Sequence, residues 1–325
     1  NKYGVPLSLF NLNLEHKSGI FEVGMDKKGE IDSLSKILMP DIGIITNISY
    51  AHAKNFENIN QIAKAKSELI NNIKSNGTII LNKDDKYFNF LQKKAKSRNL
   101  NVTSFALKKN ADIFLKSIRK IRNKYELHIK IFKKNKFFYM DNKNQNNIYN
   151  ILASITAIYL MGYYKNLKPY LFYKNTIPEG RGDISKVKFK NKRFYLIDES
   201  YNSNPMSMRS AIRNLNLIKA KSKKHFIMGD MLELGKFSRK QHIKISKDIN
   251  TSSIYRVHVL GRFVKDTYKN ISLNKKGNIL SKQDQIKDLI VKELNNNDYL
   301  MVKGSNSTGL NKFVKKLKGN KLHAL

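Results

Sequence analysis

Residues Asp198 to Pro205 read Asp-Glu-Ser-Tyr-Asn-Ser-Asn-Pro. This short run holds carboxylates, two carboxamides, a phenol and a proline that stiffens the turn. The apolar run Phe194–Ile197 leads into it, and a helical pattern through Met206, Ala211, Ile212 and Leu215 follows. Strand, polar loop and helix is how open α/β sheets present ligand-binding groups, at the carboxyl ends of their strands. An Asx-rich turn that merely caps the next helix accounts for the same residues.

A second group lies earlier in the chain. Ile59, Ile62, Ala63, Ile70 and Ile73 recur at helical spacing, and Lys66 falls on the same stripe. A lysine there must be paired, neutralised or modified, unless its stem snorkels to the helix edge. Glu22 sits in the apolar run Ile20–Val23, and His52 follows the run Ile42–Thr46. A carboxylate and an imidazole at the ends of neighbouring strands could hold a divalent cation. Gly229-Asp-Met-Leu-Glu-Leu-Gly235 brackets two acids with glycines in a tight loop, and Lys303-Gly304-Ser305 could meet an anion after its strand.

The elements that must position these groups alternate. Strands are expected at Ile20–Val23, Ile42–Thr46, Thr78–Leu81 and Val102–Phe105, with helices over Ile59–Ile73 and Tyr87–Lys96. Hairpin-forming runs follow at Ile113–Ile118, Tyr125–Phe132 and Lys136–Met140, then a helix over Ile148–Met161. Ile177 to Asp183 reads as a turn-rich hinge. Beyond it, strands at Phe194–Ile197, Phe226–Met228, Val257–Leu260 and Tyr299–Val302 alternate with helices at Arg239–Ile249, Gln283–Leu294 and Leu310–Leu317. The pattern predicts an α/β protein with largely parallel sheets, and 325 residues suffice for two cores.

Lysine plus arginine number 62 against 25 acids, a net charge of +37. The lysines run along the whole chain among asparagines and isoleucines. That spread favours polyanionic substrates such as nucleotides over a dedicated nucleic-acid patch. Cysteine is absent, which excludes disulfides and thiolate chemistry and suits a cytoplasmic protein. No apolar run is long enough for a membrane span. No Gly-x-x-x-x-Gly-Lys-Ser/Thr phosphate loop occurs.

Taken in order, these segments resemble the Mur ligase family. The likeness rests on Glu22-Val-Gly-Met with Gly29-Glu-Ile, Thr46-Asn-Ile with Ala51-His52, and Ala65-Lys-Ser-Glu68. It continues through Leu81-Asn-Lys-Asp-Asp85, Asn147-Ile-Tyr-Asn150-Ile-Leu-Ala, Gly180-Arg181, Asp198–Pro205, Gly229–Gly235 with His242, and Lys303-Gly-Ser305. Asn146, Glu199 and Ser203 are mild departures from residues common in the family. The resemblance implies a central P-loop-type ATPase domain over 1–178, incomplete at its N-terminus, and a Rossmann-like C-terminal domain over 179–325. A UDP-sugar-binding domain and the phosphate loop would precede it.

It implies ATP-dependent amide formation through an acyl phosphate, and a monomer. The Tyr201–Pro205 and Gly229–Gly235 motifs narrow the expected substrates to a UDP-N-acetylmuramoyl-tripeptide and D-alanyl-D-alanine. By resemblance, Glu22 and His52 would ligate Mg²⁺, and Lys66, as a carbamate, would support a second ion. Asn147 and Asn150 would contact adenine, Arg181 the ATP phosphates and Asp198 the ribose. Tyr201, Asn202 and Asn204 would shape the nucleotide and acceptor pocket. An inactive fragment, another Mur or folylpolyglutamate-type ligase and a basic nucleic-acid-binding protein are the competing readings.

Overall fold

The computed structural model describes residues 3–141, 144–173 and 178–319. The chain divides into two compact units, Asn1–Asn175 and Thr176–Leu325. Ile177 of the expected hinge lies outside the described residues.

The first unit runs α1 (Gly4–Phe10), α2 (Glu30–Leu38), β1 (Ile42–Ile45), α3 (Ile59–Lys66), β2 (Thr78–Asn82), α4 (Phe88–Lys96) and β3 (Asn101–Ala106). It ends with β4 (Ile113–Ile121), β5 (Lys124–Ile131), β6 (Lys134–Met140) and α5 (Gln145–Leu160). The strands form one sheet in sequence order, parallel from β1 to β4 and antiparallel from β4 to β6. The parallel β2 reads Thr-Ile-Ile-Leu-Asn with Ile79, Ile80 and Leu81 all buried, as a strand covered on both faces must. In β5 the burial alternates, because only one face of the hairpin sheet meets the core. That core joins Phe105, Ile113, Leu127, Ile129 and Phe138 to Ile148, Leu152 and Ile155 of α5.

Two expectations fail here. Ile20–Val23 forms no strand: the stretch is irregular and Ile20 is 91% exposed. Among the described residues β1 pairs only with β2, and a four-residue run with no partner strand gains no ladder hydrogen bonds. The helix expected to Ile73 ends at Lys66 and tightens into a 3₁₀ turn over Ser67–Asn72. Ser67 Oγ donates back to Lys64 O at 2.7 Å, a bond that loosens the α-helical ladder. The tightened turn lets Glu68 reach α2, where its carboxylate accepts the N–H groups of Gly29 (2.8 Å) and Asp32 (3.2 Å). Glu68 thus caps the positive end of another helix.

The second unit comprises β7 (Asp183–Phe189), β8 (Lys192–Glu199), α6 (Pro205–Asn216), β9 (Lys224–Gly229), α7 (Ser238–Asn250) and β10 (Arg256–Leu260). It continues with α8 (Val264–Asn270), β11 (Lys276–Leu280), α9 (Asp284–Glu293), β12 (Tyr299–Lys303) and α10 (Leu310–Lys318). The sheet order is β11-β10-β9-β12-β8-β7. Strands β8 to β12 are parallel and β7 closes one edge antiparallel. The chain leaves β8, skips one position to β9, moves outward to β11, and returns to insert β12. The order therefore reverses beside β9 and β12, where open sheets leave a crevice at the carboxyl ends. Sequence periodicity does not reveal β7, α8 or β11, nor α1 and α2 of the first unit.

Candidate active site

In the first unit, Lys66 is the last residue of α3, and its Nζ donates to the carbonyl of Asn47 at 3.0 Å. The half-buried amine is thus fixed on the loop after β1. Burial pushes its pKa below the ordinary lysine value, partly opposed by the charge of Asp85. A depressed pKa makes the neutral amine more available, as carbamate formation requires. Asp85 Oδ2 accepts Ile48 N–H at 2.8 Å, and Asn82 Nδ2 donates to Thr46 O at 3.1 Å. Asp84 Oδ2 accepts Leu107 N–H, Lys108 N–H and Tyr149 Oη–H at 2.7, 2.9 and 3.0 Å. The Asn82–Asp85 run therefore fastens the loop after β1, the end of β3 and the first turns of α5 to one another.

His52 adopts the left-handed region (φ 53°), unusual for a non-glycine residue. Its Nδ1 lies 3.2 Å from Asp26 Oδ1. The Asp26 carbonyl accepts Asn55 Nδ2–H at 2.9 Å, and Glu30 accepts the Asp26 and Lys27 N–H groups. The carboxylate that meets His52 is thus Asp26, which no sequence pattern marks, while Glu22 is exposed in the irregular stretch before it. Asn147 and Asn150 sit three residues apart at the start of α5, so they share a face.

In the second unit, Asp198 is buried at the end of β8. Its Oδ1 accepts Ser200 N–H (3.0 Å) and Oγ–H (2.6 Å). Its Oδ2 meets Lys318 Nζ at 2.5 Å, and that ammonium also reaches Asp183 Oδ2 at 2.6 Å. Burial works against the charged Lys318, yet hydrogen bonds to the two carboxylates leave its pKa above the ordinary lysine value. Gly182 N–H donates to Asp198 O at 2.6 Å and Tyr201 N–H to Gly180 O at 3.1 Å. Residues 180–182 are thereby bound to the loop after β8. Gly180 has φ 77°, and a Cβ there would stand 2.8 Å from Tyr201 N, so only glycine fits. Arg181 lies over the Tyr201 ring at 4.4 Å.

Asn204 is the N-cap of α6. Its Oδ1 accepts Ser207 N–H at 2.9 Å, and Ser207 Oγ accepts Asn204 N–H in return at 3.1 Å, a reciprocal capping box. The helix-cap reading therefore accounts for Asn204. Asn202 Oδ1 is turned onto Ser203 N–H at 2.7 Å.

Lys303, at the end of β12, is 2% exposed and contacts Glu199 Oε2 (3.3 Å), Glu199 O (3.4 Å) and Asn202 O (3.1 Å). Burial pushes the Lys303 pKa down and the Glu199 pKa up. Ser305 is the hub of the crevice. Its Oγ donates to Ser203 O at 3.3 Å and accepts Leu232 N–H at 2.8 Å. It thus joins the 198–205 loop to the 229–235 loop.

Behind that loop, His242 Nε2 accepts Met231 N–H at 3.1 Å while Nδ1 faces Ser238 O at 2.8 Å. An N–H can only donate and a carbonyl only accept, so the proton sits on Nδ1 and the ring is neutral. Burial lowers its pKa in the same sense. Asp230 accepts Arg262 N–H (3.0 Å) and Val264 N–H (2.7 Å) at the start of α8. Gly261 allows this: at φ 141°, a Cβ would stand 2.5 Å from that carboxylate.

Known proteins resemble this chain in sequence and in fold. The sequence profile of the Mur ligase middle domain matches residues 1–158, and that of the Mur ligase glutamate ligase domain matches residues 185–306. A UDP-N-acetylmuramoyl-tripeptide–D-alanyl-D-alanine ligase of Buchnera aphidicola subsp. Acyrthosiphon pisum is 32% identical over 324 residues. That alignment covers 98% of this chain and 68% of the relative.

The chain belongs to the Mur ligase family.

The ligase of that name from Bacillus subtilis is 26% identical, over 98% of this chain and 68% of its own. The crystal structure of MurF from Acinetobacter baumannii superposes with a TM-score of 0.84 at 25% identity, covering 98% of this chain and 68% of that one. The fold is also that of the Thermotoga maritima MurF ligase in complex with ADP, with a TM-score of 0.82 at 22% identity. There 98% of this chain and 71% of the other are covered. Within this Mur ligase chain, Asp26, Asp183 and Lys318 are the contacts of His52 and Asp198 that sequence reasoning overlooks. Each lies outside the recognisable motifs, and only the fold brings it to a motif residue.

Proposed function

We propose that this Mur ligase joins D-alanyl-D-alanine to a UDP-N-acetylmuramoyl-tripeptide at the expense of ATP. The observation that carries the reading is the Ser305 junction. The two motifs that narrow the family resemblance, 198–205 and 229–235, stand side by side at the carboxyl ends of the sheet and share one hydroxyl. Relatives bearing the same name, 32% and 26% identical across nearly the whole chain, support it.

The reaction is amide formation by way of an acyl phosphate. A peptide carboxylate oxygen attacks the γ-phosphorus and the bond to ADP breaks. The dipeptide amine then adds to the acyl carbon, and the tetrahedral intermediate expels phosphate as the nitrogen loses its proton. Such a site works by positioning and by neutralising phosphate charge. In our reading the ATP-binding unit spans residues 1–178 and the C-terminal unit 179–325.

Arg181, lying over the Tyr201 ring, carries the guanidinium assigned to the ATP phosphates. Asp198, oriented by Ser200 and Lys318, is the carboxylate assigned to the ribose. Asn147 and Asn150 present carboxamides to adenine. Tyr201, Asn202 and Asn204 shape the pocket wall, Asn204 through its helix cap.

The first unit also fits Mg²⁺ in kind. A hard cation needs oxygen ligands, and Asp26 offers one beside His52, while Glu22 is the carboxylate that the family resemblance assigns. The depressed Lys66 pKa suits a carbamate, which would replace a buried cation by an oxygen donor. When bound, the ion would neutralise phosphate charge. Asn47 sets the Lys66 amine in place, and the charge of Asp85 acts on it.

The test is a ligation assay with the full chain, ATP, UDP-N-acetylmuramoyl-tripeptide and a panel of amines. The expected result is a pentapeptide product with D-alanyl-D-alanine alone, one ADP per amide, and ¹⁸O moving from the labelled carboxylate into phosphate. Equal use of a single amino acid would assign the chain to another ligase of the family. Absence of ¹⁸O in the phosphate would remove the acyl phosphate.

A further inference from the structure

Among the described residues three lysines are buried: Lys303 (2% exposed), Lys224 (5%) and Lys318 (7%). The first is paired with Glu199 and the last with Asp183 and Asp198. Among the described residues the ammonium of Lys224 meets no carboxylate, and its one hydrogen-bond partner is Ser253 Oγ at 2.8 Å. An ammonium with three donors and a single neutral protein acceptor leaves donors for the cleft that Lys224 lines, where an anion can complete them.

Lys224 lines a cleft of about 610 Å³ with Lys221, Lys223, Tyr255, Arg256 and Lys275. Lys223 Nζ lies 4.2 Å from the centre of the Tyr255 ring, and the Arg256 guanidinium 5.1 Å from it, so the ring holds both cations at the mouth. A chain of net charge +37 has many lysines without acidic partners, so the exposed cations alone would mean little. The buried one at their centre gives the cluster its direction.

The cleft is remote from the candidate active site. Lys224, Arg256 and Lys276 begin β9, β10 and β11, whereas the crevice lies where the parallel strands end. A metal is a poorer occupant of the neighbouring region. His225, His258 and Glu293 bring ligand atoms within 4.8 Å of one another. Yet His258 Nδ1 accepts Asn278 N–H at 3.0 Å, so in the neutral ring Nε2 carries the proton and has no lone pair to give. Lys223 and Arg256 further oppose positive charge at His225.

We propose that the cleft at the amino ends of β9 and β10 binds a small phosphate anion, inorganic phosphate or pyrophosphate, with Lys224 as its buried contact and Lys223 and Arg256 at its rim.

The test is calorimetric titration of the full chain with pyrophosphate and, separately, with phosphate, at constant ionic strength. One saturable site is expected, and the tighter of the two anions identifies the natural size. Lys224→Met should weaken binding by roughly tenfold to a hundredfold, the worth of one charge-assisted hydrogen bond. Lys223→Gln, an exposed change that cannot unfold the chain, should weaken it several-fold, and Arg181→Gln should leave it unchanged. No saturable binding by the wild type would overturn the proposal. So would unaltered binding in both lysine variants, or loss of binding in Arg181→Gln, which would move the anion to the candidate active site. Binding of an oligonucleotide but not of pyrophosphate would also overturn it, by making the cleft part of a nucleic-acid surface.

Discussion

Lys318 illustrates how one side chain can govern another's role. It lies beyond every recognisable motif, yet it holds Asp198 and Asp183 together. Removing one partner of a buried ion group leaves charge uncompensated, at a cost of about 3–5 kcal/mol. Lys318→Met should therefore lower the urea midpoint strongly. It should also raise the KM for ATP more than it lowers kcat, because Asp198 loses its orientation. A variant with wild-type stability would show that the pair contributes no net energy. Lys66 makes the complementary case. Its amine is held by one backbone carbonyl, so Lys66→Ala should cost little stability while lowering turnover on the order of 10²-fold, the scale of a lost charge-stabilising group. Normal turnover in that variant would end its assignment to the metal site.

At the level of elements, β9 and β10 carry a pair of buried imidazoles. His225 and His258 stack with centroids 5.8 Å apart, and burial pushes their pKa values down to about 4 and about 3. In the unfolded chain both take up protons near pH 6.5. Between those limits the unfolded state binds more protons, so stability is full above about pH 6.5 and falls as the pH drops toward 4. Each tenfold weakening of proton binding is worth about 1.4 kcal/mol, so the loss amounts to roughly a few kcal/mol. Urea melts at pH 7 and pH 5 should show it, and His225→Phe should flatten the slope. A pH-independent midpoint over that range would mean that neither ring resists protonation.

These histidines also show where the sequence stops being legible. Central strands such as Phe226–Met228 and Tyr299–Val302 announce themselves by apolar content, and their loops by Asx residues and glycines. The edge strand β7 reads Asp-Ile-Ser-Lys-Val-Lys-Phe, with Ile184 outward and 54% exposed, and β11 begins Lys-Gly-Asn. Edge strands need only one buried face, so a lysine-rich sequence hides them. Ile20–Val23 errs the other way, its apolar run finding no neighbour. Likewise Glu22 and His52 can be matched by motif, but the Asp26 contact depends on a loop that pattern does not encode.

For the molecule as a whole, charge outweighs any single contact. None of its described helices is long and apolar enough to cross a membrane, and its two cores are ordinary. A surplus of 37 positive charges on 325 residues is not. With only 25 acids against 62 basic residues, ion pairing can neutralise only a minority of the cations, and the remainder repel one another across the surface. Such repulsion is long-ranged at low salt, where the Debye length is about 30 Å at 0.01 M, and short-ranged at 0.15 M, where it is about 8 Å. It opposes the compact state more than the expanded one. Raising sodium chloride from about 0.01 to about 0.15 M should therefore raise the melting temperature. Sodium phosphate at matched ionic strength should raise it further, because an anion that binds the folded chain adds to the screening. Lys224→Met separates the two effects: the chloride increment should persist in the variant, and the extra phosphate increment should shrink. A melting temperature that falls with chloride would show instead that attractive ion pairs at the surface, and not the surplus of lysines, dominate the electrostatic balance.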